Sequence, residues 1–300
     1  MPDKNPPSFV IFGYGGTLAN AVYDRLVQET SGYKLFAFDH QRVDVTMEGH
    51  VLPLLRYIKP DYVINCASLS DVEVCEMARV GAFSINAVGA RNVAMACKDI
   101  GCKMVGFSTS YVFDGKSRSS YSETCHPKPT NVYGKSKLQS EKDILASSSR
   151  NLVIRTGWLF SNHGTNWLTE AMRMASGNEE MCVVENRVGN PTYAVDVASA
   201  MVDLIKADSC GIVHVVNEGS CSWADLYRVI MSKLGSTKEV VLVNPKSNSF
   251  FSAPYPRNST LANRRYERIA GKKMRPWMAA MDECFDVVKK DGESDGRTKR

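Results

Sequence analysis

The sequence predicts an α/β fold, in which a doubly wound parallel sheet carries a smaller, interleaved C-terminal lobe. Short, continuously apolar segments alternate with amphipathic segments along the first half of the chain. This pattern is typical of parallel strands that helices cover on both faces. After about Phe160 the alternation loosens, and a proline- and serine-rich stretch appears. We therefore expect the later segments to form a lobe over the carboxyl ends of the strands, where open α/β sheets bind ligands.

The apolar runs and the helical patterns between them give the elements in chain order. Predicted strands are Ser8–Phe12, Tyr33–Asp39, Asp61–Ser68, Lys103–Thr109, Asn151–Phe160 and a late strand at 211–217. Predicted helices are Asn20–Glu29, a stretch ending near Pro60, 71–100, the region around Tyr133–Lys137, a stretch from about Ala194, and one that Ser222 caps and Gly235 ends. The stretch 243–262 is predicted to be a long loop.

Composition fits a globular protein of one large domain or two modest ones. The 300 residues are 44% hydrophobic and 23% charged, with a net charge of +5. Basic residues form no stripe interleaved with aromatics, so nucleic acid is not an expected partner. No apolar run approaches the length of a membrane span. The nine cysteines show no CxxC pair or metal-ligand spacing, so we expect reduced thiols, no bound metal and a cytoplasmic location.

A glycine-rich turn follows the first predicted strand directly. Gly13 and Gly16 would let the chain turn tightly and approach a pyrophosphate, and the next helix would present its N-terminus to that charge. Asp39 ends the second predicted strand, where a carboxylate would bind a ribose 2′-hydroxyl. This order of features predicts a Rossmann-type dinucleotide site. A purely structural glycine turn is the alternative.

The kind of dinucleotide depends on two charged side chains. Asp39 would repel a 2′-phosphate, which favours NADH, whereas Arg42 is close enough in sequence to attract that phosphate. We therefore expect NADH or NADPH as the cofactor, with NADH slightly favoured. An ordinary turn acid is the alternative for Asp39.

These features divide the predicted chain into three parts. Residues 8–160 would form the dinucleotide-binding domain, and later segments at about 190–216 would return to it. Residues 161–290 would mainly form the substrate-binding lobe. Residues 291–300 carry much of the basic charge and are predicted to be a disordered tail.

Tyr133 and Lys137 lie four residues apart in a helical pattern. That spacing is about one turn, so the two side chains share a helix face. An ammonium group beside a phenol lowers the pKa of the phenol from about 10, so Tyr133 could serve as a general acid or base. Thr109 ends a predicted strand, and its hydroxyl could hold a substrate carbonyl. A surface helix with ordinary polar residues is the alternative.

Together these residues resemble the extended short-chain dehydrogenase/reductases. The stretches that resemble the dTDP-4-dehydrorhamnose reductase family in particular are Ser108–Gly115, Asn131–Lys137, Arg155–Trp158 and Gly189–Tyr193, with those around 211–223 and 256–261. The resemblance covers about residues 8–290. Ser110 stands where the family often has aspartate, Ala19 stands for glycine, and Gly157 lies where serine is common. None of these departures removes a catalytic group.

The resemblance implies reduction of the C4 ketone of a nucleotide-linked 4-keto-6-deoxysugar. Tyr133 would donate a proton, Thr109 would hydrogen-bond the same oxygen, and Lys137 would hold the nicotinamide ribose. Implied cofactor contacts are Gly13, Tyr14, Gly15, Gly16, Thr17, Leu18, Asp39, Arg42, Asp44, Val45, Cys66, Ala67, Ser68, Tyr133 and Lys137. Implied substrate contacts are Ser110, Tyr111, Trp158 and, at the diphosphate, Arg257. Aromatic packing at the sheet end and a surface arginine are the alternatives for the last three.

Other functions stay open on the same scaffold. One is a nucleotide-sugar epimerase or dehydratase, or a bifunctional epimerase–reductase. A dehydratase would have an Asp-Glu pair beside Thr109, where this chain has Ser110 and Tyr111. Another is a binding protein without turnover, because the regulatory β subunit of methionine adenosyltransferase resembles the same family. The expected partner is a nucleotide-sugar substrate, and the resemblance also allows a homodimer.

Overall fold

The computed structural model describes residues 6–29, 32–177, 180–184, 186–244 and 252–295. Its strands are β1 Ser8–Phe12, β2 Lys34–Phe38, β3 Tyr62–Asn65, β4 Lys103–Thr109, β5 Leu152–Thr156, β6 Leu159–Phe160, β7 Met181–Val184, β8 Val188–Gly189, β9 Thr192–Tyr193, β10 Gly211–His214, β11 Cys221–Ser222 and β12 Val240–Val243. Its α-helices are α1 Thr17–Val27, α2 Glu48–Ile58, α3 Val72–Met77, α4 Arg79–Phe83, α5 Ala90–Ile100, α6 Val132–Ser147, α7 Trp167–Ser176, α8 Ala194–Lys206, α9 Trp223–Lys233, α10 Arg264–Ala270 and α11 Trp277–Asp295. A π-helix spans Ser84–Gly89, and a 3₁₀ turn spans Ser110–Val112.

The central sheet has six parallel strands in the order β10-β5-β4-β3-β1-β2. β4 and β5 are buried along their whole length, as expected of strands with helices on both faces. The chain places β2 on one side of β1 and β3 on the other, and open sheets bind ligands at the carboxyl ends beside such a reversal. The predicted α/β fold with a parallel, Rossmann-type sheet is confirmed.

Apolar side chains cover both faces of the sheet. Helices α1 and α8 share one buried cluster with the strands, and α2, α5 and α6 share the cluster on the opposite face. A third cluster joins α7, α9 and α11, outside the central sheet. No helix within the described ranges is long and apolar enough to span a lipid bilayer.

Several elements differ from the predicted ones. The expected strand Asn151–Phe160 breaks after Thr156, because Trp158 adopts a left-handed backbone with φ +43°. The expected helix 71–100 is divided among α3, α4, the π-helix and α5. After Phe160 the structure also has α7, β7, β12, α10 and α11, which the periodicity did not predict, and α10 packs with the central-sheet cluster through Tyr266.

The end of the chain also differs from the predicted disordered tail at 291–300. Helix α11 continues to Asp295, so residues 291–295 are helical rather than disordered. Residues 296–300 of the expected tail lie outside the described residues, as do 245–251 of the expected long loop. β10 pairs with β5 in the central sheet, so part of the segment expected to return to the first domain does lie there.

Candidate active site

A cavity of about 1030 Å³ opens at the carboxyl ends of the central strands. Its floor includes Asn65, Thr109 and Thr156, which end β3, β4 and β5, and the start of α1 forms one wall. The opposite wall comes from α7, α9 and Tyr255. A cavity of this size is large enough for small-molecule ligands, and it lies where the sheet order predicts a binding crevice.

The glycine turn at one end of the cavity requires glycine at its first position. Gly13 has φ +83°, and a Cβ there would lie 2.6 Å from the backbone nitrogen of Ala67. Gly16 caps α1 without any side chain occupying the first backbone N–H groups of the helix. The cavity is lined by Gly15, Gly16, Thr17 and Leu18. The turn therefore fits a pyrophosphate, since exposed N–H groups at a helix start bind anions.

Backbone hydrogen bonds hold the glycine turn against the end of β2. The backbone N–H groups of Gly13 and Tyr14 both donate to the carbonyl oxygen of Phe38, at 3.0 and 3.1 Å. These bonds place Asp39, the next residue, beside the turn. One oxygen of the Asp39 carboxylate accepts backbone N–H groups from Gln41 and Arg42, at 3.1 and 2.9 Å. The acid thus shapes its own turn.

Four predicted cofactor contacts after β2 lie outside the cavity lining, namely Asp39, Arg42, Asp44 and Val45. Arg42 is exposed. The carboxylate of Asp44 accepts two hydrogen bonds from Thr46, and these bonds lower the pKa of Asp44. Val45 is buried, and its side chain fills the space beside Gly89. Their contact with a cofactor stays a prediction.

The segment after β3 forms another part of the cavity. Cys66 and Ser68 line it, whereas Ala67 packs against Gly13. Burial raises the pKa of the Cys66 thiol to about 12, so this cysteine is a small filler rather than a nucleophile. Ser68 donates to the Oδ1 atom of Asn86 at 3.0 Å. Asn86 lies in the π-helix and also donates to Ser136 Oγ at 3.0 Å, a link that no sequence signal revealed.

Thr109, Tyr133 and Lys137 all line the cavity. Helix α6 begins at Val132, because the side chain of Asn131 accepts the N–H of Gly134 at 2.8 Å. Gly134 is required there, since a Cβ would collide with the carbonyl oxygen of Tyr111. The close approach of α6 to the 3₁₀ turn brings the rings of Tyr133 and Tyr111 to 6.3 Å. The predicted catalytic residues are therefore brought together at one site.

The electrostatics of these residues differ from the prediction. Burial raises the pKa of Tyr133 to about 12, and its hydrogen bond with Thr109 acts in the opposite direction. Burial lowers the pKa of Lys137 to about 8, and the negative charge of Glu141 opposes that shift. The net pKa shift of Tyr133 is opposite to the lowering expected from Lys137, because desolvation of the phenol dominates. At neutral pH the phenol keeps its proton and the ammonium keeps most of its charge.

The far end of the cavity is aromatic. Trp158 and Tyr111 line it as predicted, and Gly189 lies against the Trp158 indole where a side chain would collide with it. Trp223 meets Trp158 edge to face at 5.3 Å, and Tyr255 meets Tyr111 in the same way at 6.0 Å. Trp223 and Tyr255 were not predicted, because they come from distant parts of the chain.

Polar atoms at this end are left without partners. Ser110 Oγ, Thr156 Oγ1 and the indole nitrogen of Trp223 are buried and make no hydrogen bond within the described residues. Their residues line the cavity, so these atoms are candidate groups for a polar ligand. Predicted residue Arg257 is exposed and does not line the cavity, and its carbonyl oxygen accepts the N–H of Val188 at 2.8 Å.

The chain is similar to several known proteins. The family model described as RmlD substrate binding domain matches residues 8–290. The spore coat polysaccharide biosynthesis protein SpsK of Bacillus subtilis is 32% identical over 274 residues, which cover 91% of this chain and 95% of that protein. A dTDP-4-dehydrorhamnose reductase of Aggregatibacter actinomycetemcomitans is 30% identical over 285 residues, with coverage of 91% and 96%.

The chain is also similar to a solved structure. The dTDP-4-dehydrorhamnose reductase of Bacillus anthracis, crystallised in complex with NADP, superimposes with a TM-score of 0.88 at 31% identity. The match covers 94% of this chain and 99% of that chain.

Proposed function

The chain belongs to the family of the RmlD substrate binding domain, and we propose that it reduces the C4 ketone of a nucleotide-linked 4-keto-6-deoxysugar. It is an NAD(P)H-dependent oxidoreductase of the short-chain dehydrogenase/reductase type. The single observation that carries the proposed reaction is the convergence of Thr109, Tyr133 and Lys137 on a cavity that also contains the glycine turn.

Tyr133 acts as the general acid. When bound, the dinucleotide would supply hydride chemistry, and the carbonyl oxygen of the substrate would need a proton. Because burial holds the pKa of Tyr133 at about 12, the phenol is protonated at neutral pH and has a proton to give. Thr109, whose hydroxyl lines the cavity beside Tyr133, would donate a hydrogen bond to the same oxygen. Positioned donors of this kind stabilise developing negative charge.

Lys137 acts through its charge. It lies one helical turn beyond Tyr133, beside Cys66 at the end of the cavity that the glycine turn borders. Its ammonium group would hold the ribose hydroxyls and would stabilise the phenolate that remains after proton transfer. A pKa of about 8 means that this charge is present at neutral pH and is lost in mildly alkaline solution.

Both NADH and NADPH are proposed as cofactors. The Asp39 carboxylate beside the turn supports NADH, since it would repel a 2′-phosphate. The relative from Bacillus anthracis binds NADP, and Arg42 follows Asp39 closely enough to attract that phosphate. The nucleotide of the substrate, a homodimer and a cytoplasmic location are likewise proposals from the sequence.

The test follows the oxidation of NADH and of NADPH by absorbance, with enzymatically prepared dTDP- and UDP-4-keto-6-deoxyglucose. We expect Tyr133→Phe to lower turnover by about 10²–10⁴-fold, the usual contribution of a general acid. Dinucleotide affinity, measured by fluorescence, should stay nearly unchanged. Tyr57→Phe removes an exposed phenol of α2 and is the matched control.

Full activity in Tyr133→Phe would contradict the acid role. If the wild-type protein binds dinucleotide but oxidises neither form with either sugar, the proposed substrate is wrong. That result would favour another ketosugar or a regulatory role without turnover.

A further inference from the structure

The carboxylate of Glu141 lies beneath the proposed active site, one helical turn beyond Lys137 on α6. It is 2% exposed. Its Oε1 atom accepts hydrogen bonds from Ser108 Oγ at 2.5 Å and Arg155 Nε at 2.7 Å, and its Oε2 atom accepts one from Arg155 Nη2 at 2.6 Å. A buried carboxylate with three donors and a bidentate guanidinium is held in one orientation.

The two partners of Glu141 lie on neighbouring strands of the central sheet. Ser108 of β4 and Arg155 of β5 lie directly opposite each other in the parallel pairing. The next residues on these strands, Thr109 and Thr156, form the next pair and line the cavity. Glu141 therefore ties α6 to both strands at the cavity, which Ser108 lines together with Thr109 and Thr156.

Glu141 also supplies the negative charge that Lys137 faces. Lys137 is 6% exposed, and the other titratable groups around it are the thiols of Cys66 and Cys75 and the phenol of Tyr133, one turn earlier on α6. Burial raises the pKa of both thiols above their usual value, so they stay neutral at neutral pH.

The far side of the network carries positive charge. The guanidinium of Arg155 lies over the ring of Phe113, 5.2 Å from its centre, and its Nη1 atom is 3.4 Å from His214 Nε2. Burial and the Arg155 charge lower the pKa of His214 to about 3, so this histidine is neutral. Glu141 thus lies between two buried cations, Lys137 and Arg155.

We propose that Glu141 is a positioning residue for the reduction, which keeps Lys137 charged and fixes helix α6 against the ends of β4 and β5. The inference rests on the proposed function for its catalytic consequence. It does not rest on that function for the ionisation of Lys137, which can be measured by itself.

Glu141→Gln keeps the size of the side chain and removes its charge. Lys137 and Arg155 would then be two buried cations without a carboxylate, which disfavours the ammonium form of Lys137. The midpoint of Lys137 titration should fall by about one pH unit or more. At about pH 8 the charged fraction would drop from about one half to about one tenth, a loss of about fivefold.

The measurement is the NMR titration of lysines labelled with ¹³C at Cε, with the Lys137 signal assigned by its loss in Lys137→Arg. Asp143→Asn, on the same helix, is the matched control, because Asp143 pairs with Gln139 rather than with Lys137. We expect the Lys137 midpoint to fall in Glu141→Gln, to stay in place in the control, and to return toward the wild-type value in Glu141→Asp. An unchanged midpoint in Glu141→Gln overturns the proposal.

A second variant covers the case in which Glu141→Gln does not fold. Replacing a buried ion pair by uncharged residues of similar volume is often tolerated, so Glu141→Gln combined with Arg155→Met should recover stability. The Lys137 midpoint should remain lower than in the wild type, and an unchanged midpoint would again overturn the proposal.

The kinetic readout separates positioning from simple structural support. With a ketosugar substrate, the alkaline limb of kcat against pH should move by the same amount as the NMR midpoint, with little change in the KM for the sugar. A uniform loss of kcat at every pH overturns the positioning role. If the wild-type protein shows no turnover, the proposed function fails while the NMR titration still decides the role of Glu141.

Discussion

Lys137→Met should make the protein more stable at neutral pH while removing its activity. The ammonium group of Lys137 is buried, and burial lowers its pKa from 10.5 to about 8. The folded state therefore binds this proton more weakly than the unfolded state does. Below about pH 8 the lysine is charged in both states, and folding bears the cost of burying the charge. A methionine of similar length has no such cost.

The size of the effect follows from the pKa difference. A shift from 10.5 to about 8 corresponds to about 3 kcal/mol, at about 1.4 kcal/mol for each pH unit. As the pH rises above about 8, the folded protein releases the proton while the unfolded chain retains it, so wild-type stability rises relative to the variant. Between about pH 7 and pH 9.5 this relative gain should be about 2 kcal/mol.

The assay is urea unfolding of both proteins at about pH 7 and about pH 9.5. The stability advantage of Lys137→Met over the wild type should shrink by about 2 kcal/mol between the two. Differences in packing cancel, since they are the same at both pH values. Lys135→Met is the control on the same helix, where the ammonium group is exposed, and its difference should not depend on pH. A pH-independent difference for Lys137→Met would refute the reasoning.

Two further predictions concern the cofactor end of the site. Asp39→Ala should raise the KM for NADH more than the KM for NADPH in steady-state assays. The substitution removes a partner of the ribose hydroxyl and also removes a charge that repels a 2′-phosphate. Equal effects on the two KM values would remove the argument for NADH. Gly13→Ala should abolish dinucleotide binding and destabilise the protein, measured by fluorescence titration and thermal unfolding, because its Cβ would lie 2.6 Å from Ala67 N at φ +83°. Gly15→Ala should be milder, since at φ +90° its Cβ meets nothing within 4 Å and only backbone strain of about 1 kcal/mol remains.

The strands of the central sheet could be read from the sequence because their signal is local. Ser8–Phe12 and Lys103–Thr109 are continuous apolar or small-residue runs, and the structure has both with the predicted bounds. The elements after about Phe160 were harder to predict from the sequence, because they form through contacts between distant segments of the chain. β7 pairs with β12, which comes about sixty residues later in the chain. Neither strand has a local hydrophobic pattern strong enough to predict it alone.

The same distinction between local signals and long-range contacts explains which features of the site could be predicted from the sequence. The glycine turn and the Tyr133/Lys137 pair have fixed local spacings that the sequence shows directly, and the structure brings them to one cavity. The pKa of Tyr133 could not be read in that way, because it depends on how much water the surrounding lobe removes. Trp223 was missed because its position against Trp158 depends on the left-handed backbone at Trp158, which is unusual for a bulky side chain.

The burial that raises the pKa of Tyr133 also sets the protonation states of the site at neutral pH. In the proposed reaction, a phenol with a pKa of about 12 is protonated at neutral pH and can act as the acid, whereas oxidation of an alcohol would need the phenolate. Lys137 is charged under the same conditions and can stabilise the phenolate as the proton leaves. The neutral-pH states of Tyr133 and Lys137 are thus the ones that the proposed reduction needs. Raising the pH would remove the charge of Lys137 well before it removed the proton of Tyr133, so the alkaline loss of reductase activity should follow the lysine.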